Sequence, residues 1–306
     1  MPWWFFKHGG GSEAEPTESE PAPGEGRLLS SLPGERGHAA EFSQFSLQSL
    51  PKDLREIDRL DLQHYALRVV LQANYLAPVG LPRRILDTGC GTGQWAYDLC
   101  QEFPQATVVG LDIEPIKQTT NLPSNFRFVR ANLLDGLPFA NDSFDFVHQR
   151  LLALSLPVTC WPVLVKDLAR VTAPGGWVEL IEGSAEVAPA GPATQEVFSL
   201  IGQYLLARGL DGQGNVARSL VRYLEEAGLS AIQQRTVAVP VGEWGGPIGH
   251  LIALDFRETF LALSERVAQR FQLPTEALVA LLQSMRRECN DLHTCYSFIV
   301  AYGQKR

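Results

Sequence analysis

Positive charge is in the minority: 26 Lys and Arg stand against 34 Asp and Glu, a formal net charge of −8. A nucleic-acid-binding surface shows as basic excess, so this balance weighs against DNA or RNA as a substrate. Cysteine is scarce and scattered. Cys90, Cys100, Cys160, Cys289 and Cys295 form no C-x-x-C pair and no zinc spacing. That excludes a disulfide scaffold, predicts no metal site, and points to reduced thiols in a cytoplasmic protein. Long apolar runs are missing as well. Met1-Pro2-Trp3-Trp4-Phe5-Phe6-Lys7 is aromatic but far too short to span a bilayer, and no signal-peptide core follows. No stable membrane insertion is expected. From residue 8 to about 40, large apolar groups give way to Gly, Ser, Glu and Pro. Such a segment cannot bury enough surface to fold alone, so 1–41 is expected to be a disordered tail.

The rest of the 306 residues is ordinary for a folded enzyme, with 45% hydrophobic and 20% charged residues overall. From Asp53 to Ala77 apolar residues recur at three- and four-residue spacing, which predicts a helix stopped by Pro78 and Gly80-Leu81-Pro82. Strand and helix patterns then alternate, the signature of a parallel sheet. Strands are predicted at Arg84 to Asp87, Thr107 to Leu111, Phe126 to Arg130, Phe144 to His148 and Trp177 to Glu182. Helices are predicted at Gly93 to Phe103 and Pro162 to Val171. Beyond residue 190 the pattern reads as helices 193–208 and 215–227, a strand 232–241, helices 249–270 and 275–289, and a last strand 293–302. The expected organisation is one domain over 42–306. It comprises a helical cap (42–82), a ligand-binding core (83–190), and substrate-side helices with a terminal β-hairpin (191–306).

Ile85-Leu86-Asp87-Thr88-Gly89-Cys90-Gly91-Thr92-Gly93 is the most informative stretch. A buried strand ends in an acid, turns through three alternating glycines and enters a helix. Glycines at this density let backbone pass close to a ligand. The end of a strand before a helix N-terminus is where open α/β sheets bind nucleotide-like ligands. A dinucleotide fingerprint needs G-x-G-x-x-G, and the position of its third glycine holds Gln94. Further features follow in order. Asp112 ends the second strand, where a carboxylate can accept both hydroxyls of a ribose. Then come Asn132-Leu133-Leu134-Asp135-Gly136-Leu137-Pro138-Phe139, the run Asp142 to Leu152, and Ala173-Pro174-Gly175-Gly176 before the fifth strand.

Together these five features resemble class I S-adenosylmethionine (SAM) methyltransferases. Within that family, Arg59 to His64, Phe103 to Ala106 and Phe144 to Arg150 are similar to the LaeA-like branch, whose namesakes are fungal regulators of secondary metabolism. The resemblance implies an α/β, Rossmann-like fold. Its seven-stranded, mostly parallel sheet has an antiparallel last strand and a helical insertion between strands six and seven. SAM is the implied cofactor. Asp87, Gly89, Gly91, Gly93, Asp112, Ile113, Asn132, Leu133 and Gln149 are the implied contacts, and Asn132 stands where the family more often has an acid.

Methyl transfer from a sulfonium needs alignment more than a dedicated base. His148, at a strand end, is the candidate general base or substrate orienter. Arg150, Glu182, His250 and Trp244 are further candidates for the acceptor side, and His64 and Tyr65 for covering the cofactor. Trp95 is expected to pack rather than to stack on adenine. The expected activity is methylation of a small organic, secondary-metabolite type acceptor. The alternatives are a methyltransferase-fold regulator with little turnover and an NAD-dependent oxidoreductase.

Overall fold

Strand β1 (Arg84–Thr88) is buried on both faces after its first residue, which is what a central parallel strand requires. It pairs in parallel with β2 (Thr107–Asp112) and with β4 (Phe144–Arg150). β3 (Phe126–Arg130) pairs with β2, and β5 (Thr172–Ala188) with β4, again in parallel. The direction reverses at β7 (Cys295–Gln304), which runs antiparallel between β5 and β6 (Ser230–Pro240). The order β3-β2-β1-β4-β5-β7-β6 is the expected seven-stranded Rossmann-like sheet with its antiparallel ending. This computed structural model describes residues 59–116 and 121–306; the expected tail and the cap before Arg59 lie outside them.

Two layers of helices follow from the alternation of buried side chains. On one face, α2 (Gln94–Glu102) places Trp95 and Leu99 against Ile85, Val108 and Phe146. On the other, α3 (Trp161–Val171) and α6 (Leu220–Glu226) place Trp161, Leu168 and Leu224 against Leu86, Val147 and Val178. In β7, Phe298 and Val300 join one core while Ile299 and Ala301 join another, so this strand too is buried on both faces. Between β6 and β7 the chain makes α7 (Gly246–Phe271) and α8 (Thr275–Asp291), the expected insertion. α7 packs on α1 (Arg59–Leu71), and α8 on α4 (Pro192–Leu206).

Three boundaries differ from the sequence pattern. α1 stops at Leu71 rather than near Ala77, because Gln72 adopts a left-handed conformation. The Leu76 and Ala77 N–H groups then both donate to the Glu179 carboxylate, at 2.7 and 2.6 Å, so a side chain replaces the helical acceptors. The helix expected over 215–227 is split at Ser219 into α5 (Asn215–Arg218) and α6. β5 is far longer than Trp177 to Glu182. Its pairing with β4 jumps from Phe144↔Thr172 to Phe146↔Trp177. Pro174, which has no N–H, and Gly175 at φ 80° form the bulge that the sequence shows as a turn.

Glu179 and Glu182 lie on this strand and are buried. Burial pushes Glu179 up to about 7 and Glu182 up to about 8, against the opposing pull of the backbone N–H groups each accepts. Burial also lowers His64 to about 4, and lowers His148. A carboxyl raised in the folded state binds its proton more tightly there, so its contribution to stability falls as pH rises from 4.5 toward the raised value. The lowered histidines act the opposite way, and only below 6.5. The thermal midpoint should therefore fall between about pH 6.5 and about pH 8, where the two glutamates act alone among these four groups. Glu179→Gln keeps an oxygen for both N–H donors and should remove the part of the fall up to about pH 7. Calorimetry across this range checks it, and an unchanged pH slope in the variant would refute the assignment.

Candidate active site

The loop after β1 is built on three glycines at positive φ: Gly89 (68°), Gly91 (57°) and Gly93 (85°). It is tethered to the end of β2. Gly89 and Cys90 both donate to the Leu111 carbonyl, and Gly91 N donates to Asp112 Oδ2 at 2.8 Å. Gly93 then serves as N-cap of α2. A Cβ on Gly93 would stand 2.7 Å from the Tyr97 ring, which would have to shift, and the φ of 85° itself favours glycine.

Asp112 is 5% exposed. Its Oδ2 holds the Gly91 N–H and its Oδ1 the Glu114 N–H at 3.0 Å. The Ile113 N–H is turned to the same carboxylate, and of its roughly four lone-pair sites acceptor capacity remains for a further donor. Burial raises its pKa, and the backbone donors oppose that. Nearby, Ile113 is half-buried, with its carbonyl accepting Arg130 Nε at 3.0 Å. Asn132 caps the short 3-10 turn Leu133–Asp135 through Oδ1, which accepts the Leu134 N–H at 3.1 Å. Asn132 and Leu133 are half-buried, whereas Asp135 is exposed.

His148 does not meet the expectation of a general base. It has 0% exposure, its Nδ1 bonds Asp87 Oδ1 at 2.9 Å, and its ring stacks on Trp95 at 3.8 Å and 6°. Burial lowers its pKa, so the ring is neutral and donates Nδ1–H to Asp87. It positions Asp87 beneath the glycine loop and has no surface on which to meet an acceptor. Trp95 packs as expected, with Nε1 donating to the Asn74 carbonyl. Gln149 is 1% exposed; its Oε1 accepts from Thr88 Oγ1 at 3.3 Å, while its Nε2 has no protein partner.

Helix α1 closes over the loop. Asp61 Oδ1 accepts from Thr92 Oγ1 at 2.6 Å, and Leu60 lies 3.0 Å from where a Gly91 Cβ would be. One turn on, Arg150 Nη2 donates to His64 Nδ1 at 3.1 Å, and His64 Nε2 donates to Asp98 Oδ2 at 3.1 Å. Arg68 Nη1 completes the chain on the same Asp98 oxygen at 2.7 Å. The neutral His64 can donate on one side and accept on the other, consistent with its lowered pKa. Arg150 and His64 are thus partners of each other. Asp98 was not among the sequence candidates. Its signal was an acid on the otherwise buried face of α2.

Beyond the ends of β4 and β5 lies a cavity of about 100 Å³, lined by Gln63, Leu151, Glu182, Asp255, Phe256 and Tyr296 among others. Glu182 reaches it, though its two oxygens also hold the Leu152 and Ala153 N–H groups at 2.8 and 3.1 Å. Asp255 stands in mid-helix, 3% exposed, and accepts from Gln63 Nε2 at 3.0 Å. Trp244 stacks on His293 at 4.9 Å and donates Nε1–H to the Val241 carbonyl, a packing role. His250 lines a separate cleft in the insertion.

The family described as methyltransferase domain matches residues 85–176. Methyltransferase pytC of Aspergillus terreus (strain NIH 2624 / FGSC A1156) is 32% identical over 275 residues, covering 83% of this chain and 82% of that protein. The secondary metabolism regulator laeA of Aspergillus fumigatus is 32% identical over 218 residues, covering 69% of this chain and 57% of its own length. Methyltransferase str3 of Strobilurus tenacellus is 41% identical over 125 residues, 40% of this chain and 44% of that protein.

The Asp87–His148 contact can be tested on stability. Asp87→Ala leaves a fully buried imidazole N–H unpaired, a loss of about 1–3 kcal/mol. Urea unfolding should show it as a lower midpoint at unchanged m-value, and a midpoint within error of the parent would show the contact to be dispensable.

Proposed function

Because this chain belongs to the class I SAM-dependent methyltransferases, in the LaeA-like branch, we propose that it methylates a small secondary-metabolite type acceptor, with SAM held over the ends of β1, β2 and β4. The observation that carries this reading is Asp112, a buried strand-end carboxylate that accepts from the glycine loop and keeps acceptor capacity for a further donor. The residues present fit the donor. Asp112 would take the ribose hydroxyls, and Asn132 and Leu133 would border the adenine. Gly89, Gly91 and Gly93 let the loop backbone pass close beneath. Gln149 Nε2 is an orphaned buried donor of the kind a polar ligand satisfies. Ile113 and Asp87 belong to this site as wall and loop anchor.

Bound SAM supplies a methyl group on a positively charged sulfur, already activated for displacement. The chain's own task is alignment and exclusion of water. α1 covers the loop through Leu60, Asp61 and His64, and the chamber beyond β4 and β5 takes the acceptor. Small-molecule rather than nucleic-acid acceptors accord with the net charge of −8. Five free cysteines accord with a cytoplasmic setting. Among the described residues no helix is long and apolar enough to cross a membrane.

Isothermal titration with SAM and with NAD tests the donor, and heat from NAD with none from SAM would overturn this reading. Mass spectrometry of acceptor screens should show a gain of one methylene; SAM binding with no methylated product would favour the regulatory alternative. Asp112→Ala should weaken SAM binding by about 1–3 kcal/mol, through lost buried acceptors. Unchanged affinity would remove Asp112 from the site.

A further inference from the structure

The chamber beside the glycine loop is small. Its volume of about 100 Å³ accommodates a functional group and a few atoms, whereas ligand sites usually occupy about 300–1,000 Å³. A second cavity of about 520 Å³ lies between α7 and α8. The two share Phe256 and Phe260, which stand one turn apart on α7. These rings are 5.6 Å apart; Phe198 lies 5.6 Å from Phe260, and Tyr296 lies 4.9 Å from Phe256. Side chains, which can change rotamer, therefore form much of the partition.

The linings differ in chemistry. The chamber carries the buried carboxyls of Glu182, Asp211 and Asp255, with no Lys or Arg among its described lining residues. An anionic group is unfavourable there, and a hydroxyl or an amine is suited. The larger cleft is walled mainly by apolar side chains, including Leu254, Leu261, Val279, Leu282 and Met285. Of its lining residues, Arg286 is paired with Glu243 at 2.5 Å, and Arg257 is paired with Glu258 at 3.1 Å.

We propose that the two cavities form one divided acceptor site, which takes an elongated molecule with a neutral or cationic nucleophilic head and an apolar body. The head lies in the chamber against Asp255. The body passes Phe256 and Phe260 into the cleft between α7 and α8. This rests on reading the chamber as the acceptor end of the methyl-transfer site, and it adds the substrate's shape and polarity.

The test uses the full chain saturated with S-adenosylhomocysteine and three probes: 4-ethylphenol, 4-butylphenol and 4-hexylphenol. Affinity, read by titration calorimetry, should tighten with chain length by up to about fourfold per buried methylene. Leu282→Trp and Val279→Trp, both at half-buried positions on α8, should abolish that gain while leaving 4-ethylphenol binding unchanged. SAM affinity measured on each variant verifies that the fold is kept. Length-independent binding in the parent, or the same slope in both Trp variants, overturns the divided site. Failure of the parent to bind SAM would sink the methyl-donor reading instead, while the chain-length series would still report on the cavities.

Discussion

The attachment of the glycine loop to the end of β2 is the constraint on which the site depends. A loop with three residues at positive φ has wide conformational freedom when unfolded, and each glycine loses much of it on ordering. The Leu111 carbonyl and the Asp112 carboxylate fix Gly89, Cys90 and Gly91 in turn. Asp112 thus has two roles at once. It closes the loop and presents what remains of its acceptor capacity to the space above. Strand β2 is held in register by β1 and β3, so the loop inherits its position from the sheet.

A second layer of polar contacts supports the first. Beneath the loop, His148, stacked on Trp95, holds Asp87 in a buried site. Above it, α1 is bound through Asp61 to Thr92 and through His64 and Arg68 to Asp98. Asp98 shares one oxygen between a neutral ring and a cation, and His64 passes the chain on to Arg150. Burial of such groups is costly unless every donor finds its acceptor. The neutral state of His64 is what allows one ring to satisfy both neighbours.

The glycine loop and its tether to β2 were largely legible in the residues because their demands are local. Positive φ selects glycine at 89, 91 and 93, and a strand-end carboxylate must follow the next strand at a set distance. His148 was misjudged for a related reason: a strand-end histidine can face either the ligand or the core. The pleat turns its side chain toward α2, where Trp95 covers it. Asp98 and the Glu179 cap on Leu76 and Ala77 were not legible. Each joins residues far apart in sequence, 34 positions for His64–Asp98 and 102 for Ala77–Glu179, and no local pattern encodes such a pairing. Likewise, the split at Ser219 and the bulge at Pro174 and Gly175 break the apparent period of otherwise correct elements.

The proposed acceptor chamber lies where the same locality is absent. The wall of the chamber is drawn from α1, α4, α7, β5 and β7, and its carboxyls come from β5, from the loop at Asp211 and from the middle of α7. Asp255 is informative in this respect. A carboxylate at mid-helix has no helix terminus to cap, and the Gln63 amide that meets it belongs to the helix covering the glycine loop. The contact therefore joins the insertion to the cover of the cofactor site.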